Sequence, residues 1–103
     1  MADVPLRIVE GQALSARQKK ELLNRLARIE GQLRGVQKLI ALADAPSDCD
    51  AVAQQMSAAR KALDRSFVQL LTASLVTQTG DAADLDDARS RAARVAALLD
   101  KFA

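Results

Sequence analysis

One side chain in this sequence can carry thiol chemistry. Cys49 is the only cysteine among 103 residues, and it lies in the stretch APSDCDAVAQQ with an aspartate on each side. A lone cysteine cannot form an internal disulfide, so it is a packing residue, a metal ligand, a sensor, or half of a crosslink between chains. The chain contains no histidine, which removes the commonest general base and the commonest transition-metal ligand. We therefore expect no enzyme activity, no resident metal and no cofactor.

Basic side chains form the second chemically useful group. Residues 16–38 contain seven Lys or Arg against two Glu, a local charge of 7 − 2 = +5, and a further basic group follows in residues 60–65. Positive segments attract polyanions, while two Phe and no Trp or Tyr offer little for stacking on single-stranded bases. Duplex DNA bound through its phosphates is the expected partner. The basic residues of these two segments are Arg17, Lys19, Lys20, Arg25, Arg28, Arg34 and Lys38, then Arg60, Lys61 and Arg65.

A first helix must position most of these cations. Ser15 and Gln18 predict a capping box at its start, and the segment DAPSD predicts its end near Ala43. Gly31 and Gly35 lie four residues apart in it and share a face. They either leave a bare patch for a close approach or are tolerated surface glycines. The apolar seam recurs at alternating spacings of four and three, at Leu22, Leu26, Ile29, Leu33, Val36 and Ile40.

Two more helices are expected. Ser47 is the expected cap of the second, and Gly80 is expected to end it as a C′ glycine. The third is expected to begin around Asp81 and Asp84. Both continue the alternating spacing. The second seam contains Val52, Met56, Ala59, Leu63, Ser66, Leu70 and Ala73, and the third contains Leu85, Ala88, Ala92, Val95, Leu99 and Phe102.

The predicted fold is all-α, with three helices per chain. Joined by a short turn, the first two helices must form an antiparallel hairpin, which cannot cover its own seams along both sides. We expect a homodimer that forms an antiparallel four-helix bundle; a three-helix monomer is the alternative. Residues 1–14 are predicted to be a flexible tail and residues 15–103 one domain. No signal peptide or transmembrane stretch is evident, so we expect a cytoplasmic protein without membrane contact.

Two motifs in this sequence resemble a known family. The segment LLNRLARIEGQLRGVQKLI (residues 22–40) resembles the first-helix signature of the CsoR/RcnR family of small all-α transcriptional repressors. The segment DCDAVAQQMSAARKALDRSFVQLLTASL (residues 48–75) resembles the second helix of that family. The resemblance implies a dimer of dimers. It also implies operator binding without a helix-turn-helix, with Arg25 and Arg65 matching the family's DNA-binding positions. Arg28, Arg34 and Lys38 follow by proximity, and Arg60 and Lys61 belong to the same basic group.

The chain departs from the family at the inducer site. The family's metal sensors join the second-helix cysteine to a His 25 residues later and often a Cys 29 residues later, from the other protomer. Counted from Cys49, those positions are Ser74 and Gln78. Gln78 also removes the second thiol of the persulfide sensors, and Ala2 stands where formaldehyde sensors have an N-terminal proline.

Three interpretations of Cys49 remain: a redox or electrophile switch, a vestigial ligand, or plain packing. We expect a DNA-binding repressor whose derepression uses thiol chemistry at Cys49, in response to a small-molecule or redox inducer, rather than metal binding. The alternatives are a helical oligomerisation module without DNA binding and a copper sensor with non-standard ligands.

Overall fold

The computed structural model describes residues 11–103, and within that range the protein consists of helices and turns without strands. The helices are α1 (Ala16–Leu42), α2 (Asp48–Gly80) and α3 (Leu85–Phe102), which confirms the all-α prediction. No helix in residues 11–103 is long and apolar enough to cross a membrane. The chain divides into two compact units. The first unit contains residues 11–19 and Gln69–Ala103, and the second unit is Lys20–Val68.

The start of α1 has the predicted capping box. The Ser15 amide donates to Gln18 Oε1 at 2.7 Å, and the Gln18 amide donates to Ser15 Oγ at 3.1 Å. Gln18 also reaches α2 within the first unit, because Thr77 Oγ1 donates to Gln18 Oε1 at 2.7 Å and Gln18 Nε2 donates to the Ala73 carbonyl at 3.4 Å. One side chain therefore caps a helix and ties it to its neighbour.

The turn between α1 and α2 is closed by Asp48. Its carboxylate accepts hydrogen bonds from the Asp44 and Ala45 amides, both at 3.0 Å. Ser47 immediately precedes the first helical residue, as predicted, and its carbonyl accepts a bond from the Asp50 amide at 3.2 Å. The side chain that organises this turn therefore belongs to Asp48, one residue after the predicted cap.

The end of α2 differs from the prediction. Gly80 is the last residue of the helix and keeps a negative φ, since Gly11 is the positive-φ glycine of the described residues. The Asp81 amide still bonds to the Thr77 carbonyl at 3.1 Å, in the helical pattern. The prediction that Gly80 is a left-handed C′ glycine is therefore wrong. Asp84, in contrast, caps α3 as expected: its carboxylate accepts from the Asp87 amide at 2.8 Å.

The second unit packs around alternate members of each predicted seam. Ile29 and Val36 in α1 and Ala59 and Ser66 in α2 are buried. The members between them lie to one side of the buried row and are about half exposed: Leu33 (47%), Ile40 (52%), Met56 (47%) and Leu63 (52%). We call these four residues the exposed apolar stripe. Each follows an inward seam residue by four positions, so each seam is wider than one neighbouring helix covers.

The first unit has a more polar core than the sequence indicated. Its buried residues are Leu71, Ser74, Gln78, Arg91 and Val95. Of the predicted α3 seam, Val95 is buried, whereas Leu85, Leu99 and Phe102 are exposed in the single chain. Arg91 is buried instead, with its Nε donating to Asp87 Oδ2 at 3.1 Å. The (i, i+4) spacing of these two residues makes that pairing possible.

Two glycines should respond in opposite ways to alanine. A Cβ at Gly31 would have ordinary contact, with Arg34 Nη2 the nearest atom at 3.8 Å, whereas a Cβ at Gly11 would lie 2.8 Å from Asp81 Oδ2 at φ +99°. We expect Gly31→Ala to stabilise the fold by about 1 kcal/mol through helix propensity, and Gly11→Ala to destabilise it through strain at positive φ. Thermal unfolding by circular dichroism at one protein concentration measures both changes. A stabilising Gly11→Ala would contradict the close approach to Asp81.

Candidate nucleic-acid interface and cysteine site

The predicted DNA-contacting cations all lie in the second unit. There are seven of these cations. Arg25 is half-buried on α1, four residues before the buried Ile29, and the other six are exposed. An arginine in the position of Arg25 packs its aliphatic stem on the apolar surface and keeps its guanidinium in water. The exposed members are Arg28, Arg34 and Lys38 on α1 and Arg60, Lys61 and Arg65 on α2.

None of these seven cations is ion-paired with a carboxylate of residues 11–103. An ion pair in the first unit, between Arg91 and Asp87, involves none of them. Their charge is therefore available to an external anion, in a segment where α1 and α2 lie beside each other.

Cys49 is the second residue of α2, and its thiol is exposed. The Cys49 thiol is therefore open to solvent in the single chain. The amides of Asp48, Cys49 and Asp50 donate to carbonyls three residues earlier, at 2.9–3.2 Å. Because these amides are engaged within the turn, the helix N-terminus does not present them to the Cys49 sulfur.

Asp48, directly before Cys49, remains ionised to lower pH than an ordinary aspartate. The amides of Asp44 and Ala45 hold the pKa of Asp48 below its usual value of 3.8, because hydrogen bonds to a carboxylate favour its charged form. The same effect operates in the first unit, where the Ala83 amide, followed by Arg91, lowers the pKa of Asp87. Cys49 thus has a fixed negative neighbour at neutral pH.

Ser74 and Gln78 lie in the first unit, and both are buried, with 8% and 9% exposure. Together with Cys49 they would offer one thiolate, one hydroxyl and one amide. The Ser74 hydroxyl and the Gln78 amide are both neutral donors at neutral pH. Cu(I), Ni and Zn prefer thiolate and imidazole donors. In residues 11–103 no three His, Cys, Asp or Glu side chains gather into a group that could hold a metal ion. The residues present therefore do not fit a site for these metals.

The comparison with known families decides what kind of protein this is. A family model described as a metal-sensitive transcriptional repressor matches residues 18–102. The chain belongs to this repressor family. The match spans most of α1 and all of α2 and α3, and it confirms the resemblance to CsoR/RcnR repressors. No curated protein and no solved structure matches the chain. The three helices of this chain thus lie within the family match, except for the first two residues of α1.

The Asp48 turn of this repressor should loosen in acid. Because the pKa of Asp48 is lower in the folded than in the unfolded chain, the carboxylate stabilises the turn above its ordinary pKa. That stabilisation is lost as pH falls through the lowered value. We expect the Asp44 and Ala45 amides to lose hydrogen-exchange protection only once the pH has fallen below 3.8, the usual pKa of an aspartate, and Asp48→Ala to remove that protection at every pH. Asp50→Ala, which removes a neighbouring carboxylate, is the matched control. Equal protection in the Asp48 and Asp50 variants would disprove this role of Asp48.

Proposed function

We propose that the chain is a repressor that binds operator duplex DNA through the basic side chains of α1 and α2, with Arg25 and Arg65 as the leading phosphate contacts. The observation that supports this is the collection of seven cations in one compact unit, without carboxylate partners in residues 11–103. Arginine suits this task because its guanidinium forms two hydrogen bonds to a phosphate. Membership of a repressor family supplies the biological role.

Duplex DNA fits this surface better than single strands do. Single-stranded nucleic acids are held by stacking on aromatic side chains, and the two aromatic residues of the whole chain are Phe67 and Phe102. Helix α1 has 27 residues and α2 has 33, so neither resembles the short recognition helix of a helix-turn-helix protein. A broad phosphate surface without a base-reading helix predicts binding that depends steeply on salt.

The exposed apolar stripe supports a dimer. Val52 and Ala59 precede Met56 and Leu63 by four positions, and Ile29 and Val36 precede Leu33 and Ile40 in the same way. Two antiparallel helices are related by a local two-fold axis perpendicular to the plane that contains them. Residues that follow an inward residue by the same number of positions therefore lie on the same side of that plane in both helices. The stripe is thus continuous across α1 and α2, and a second copy that covers it completes an antiparallel four-helix bundle. A dimer of dimers then requires a further interface.

Cys49 supports a thiol-based switch on the same side of the helix pair. It precedes Met56 by seven residues, two full turns of helix, and so it lies at the end of the exposed apolar stripe. Chemistry at an exposed thiol in this position would alter the surface that a second copy covers. We propose that derepression proceeds through Cys49 and needs no metal, since Ser74 and Gln78 do not supply the metal donors.

Loss of Arg25 or Arg65 should weaken DNA binding. For Arg25→Ala, Arg65→Ala and the double variant, we expect lower affinity for the duplex upstream of the protein's own gene. Each lost phosphate contact should also make the slope of log K against log salt less steep by about one. Fluorescence anisotropy at three salt concentrations measures both quantities, and an unrelated duplex of equal length controls for sequence. If the wild-type chain shows no salt-dependent binding, it is an oligomerisation module and the repressor proposal is wrong.

Release of DNA should depend on the thiol and not on metal. We expect disulfide stress or an electrophile such as formaldehyde to release the operator from the wild-type protein and not from Cys49→Ser. We expect Cu(I) at equal concentration to leave the complex intact, because the donor set does not fit it. Operator release by Cu(I) that disappears in Cys49→Ser would instead favour the copper sensor with non-standard ligands.

A further inference from the structure

Helix α3 buries less apolar surface than it leaves in water. Of its five large apolar side chains, Val95 is buried and Leu98 is half-buried in the single chain. The other three are exposed: Leu85, Leu99 and Phe102. The second buried residue of α3 is Arg91, whose Nε pairs with Asp87 of the same helix. Because burial of apolar surface is the main force that holds a helix against its neighbour, α3 is held weakly.

Helix α2 has two different faces in the first unit. Ala73 and Thr77 lie toward the start of α1, since both form hydrogen bonds with Gln18. A second face holds the α2 residues that are buried in this unit: Leu71, Ser74 and Gln78. At 100° per residue, the second face lies about 110° around the helix from the first. Among residues 11–103, α3 is the helix of the first unit that is left to cover it.

The polar side chains of this second face lack hydrogen-bond partners in the described chain. Neither the Ser74 hydroxyl nor the Gln78 amide forms a hydrogen bond within residues 11–103, although the two residues are 8% and 9% exposed. Ser66, the buried serine of the second unit, differs because its hydroxyl donates to the Ala62 carbonyl at 3.0 Å. On α3, Arg94 Nε is also buried without a partner in this range. A buried polar group that loses water and gains no partner opposes the contact that buries it.

Short-range hydrogen bonds shape the start of α3. The Asp84 carboxylate accepts from the Asp87 amide at 2.8 Å, and Asp87 Oδ2 accepts from the Ala83 amide at 3.0 Å. Arg91 Nε donates to the same Asp87 oxygen at 3.1 Å. These bonds join residues three or four positions apart, so they survive when α3 separates from α2. Helix α3 can therefore move as one body about residues 81–84.

We infer that α3 is a lid on α2, which leaves and returns as one body while α1 and α2 stay folded. Its departure opens to solvent the face that contains Leu71, Ser74 and Gln78. Segments with few buried apolar contacts open first, and water satisfies the unpaired polar groups once the lid has opened. The lid does not depend on the proposed DNA binding. It lets solvent or a small molecule reach Ser74 and Gln78 without unfolding the second unit.

Hydrogen exchange of the full-length protein tests the lid. We expect the amides of α3 to share one level of protection, roughly tenfold or more below that of the best-protected amides of α1 and α2. Ser74→Ala should raise the protection of α3 about fivefold, because it removes an unsatisfied buried hydroxyl. Ser66→Ala is the matched control, since it makes the same change on the same helix in the second unit, and it should leave the protection of α3 unchanged.

Thiol labelling gives a second readout in protein that also carries Cys49→Ser. We expect iodoacetamide to label Ser74→Cys in the absence of denaturant and to label Ser66→Cys at least about tenfold more slowly, because position 66 requires the helix pair itself to open. Circular dichroism checks that each variant is folded. Protection of α3 equal to that of α1 and α2, unchanged protection in Ser74→Ala, or equal labelling at the two positions would each overturn the lid.

Discussion

Helices α1 and α2 have more apolar surface in the second unit than one neighbouring helix can cover. Their seams put a residue inward and, four positions later, another residue outward, so a hairpin buries one row and exposes the next. Leu33, Ile40, Met56 and Leu63 are left in water at a cost that a second copy would relieve. Arg25, Arg28 and Arg65 lie on the side of the helix pair opposite this stripe. The position of Cys49 at the end of the stripe follows from the same period of seven.

Much of the fold could be predicted from sequence because local signals agreed with one another. The capping box at Ser15, the break around Pro46 and the acidic start of α3 each have a short-range physical cause. The backbone conformation of Gly80 could not be predicted in this way. A glycine at a helix end permits a left-handed residue without requiring one, and here the helix keeps its regular bond from the Asp81 amide.

Which members of each seam are buried and which are exposed also could not be predicted from the sequence. Hydrophobic spacing identifies which residues avoid water but not which neighbour covers each of them. Burial of Arg91 in place of the ends of the α3 seam has the same origin, since the Asp87 carboxylate offsets the cost of burying a guanidinium. The basic residues of the candidate site could be identified from the sequence alone. The side of the helix pair on which each arginine lies could not, because it depends on which seam residues are buried, such as Ile29 and Ser66.

The division into two units has a consequence for how such a repressor can diverge. The basic residues and the exposed apolar stripe belong to Lys20–Val68, whereas Ser74 and Gln78 are core residues of the other unit. A substitution at Ser74 or Gln78 alters the polar core of the first unit without altering a single cation of the second. The two sets of residues can therefore change independently while the family's helices persist, as they do here over residues 18–102. A relative of this chain can differ in the core of the first unit and still display the same exposed cations on the second.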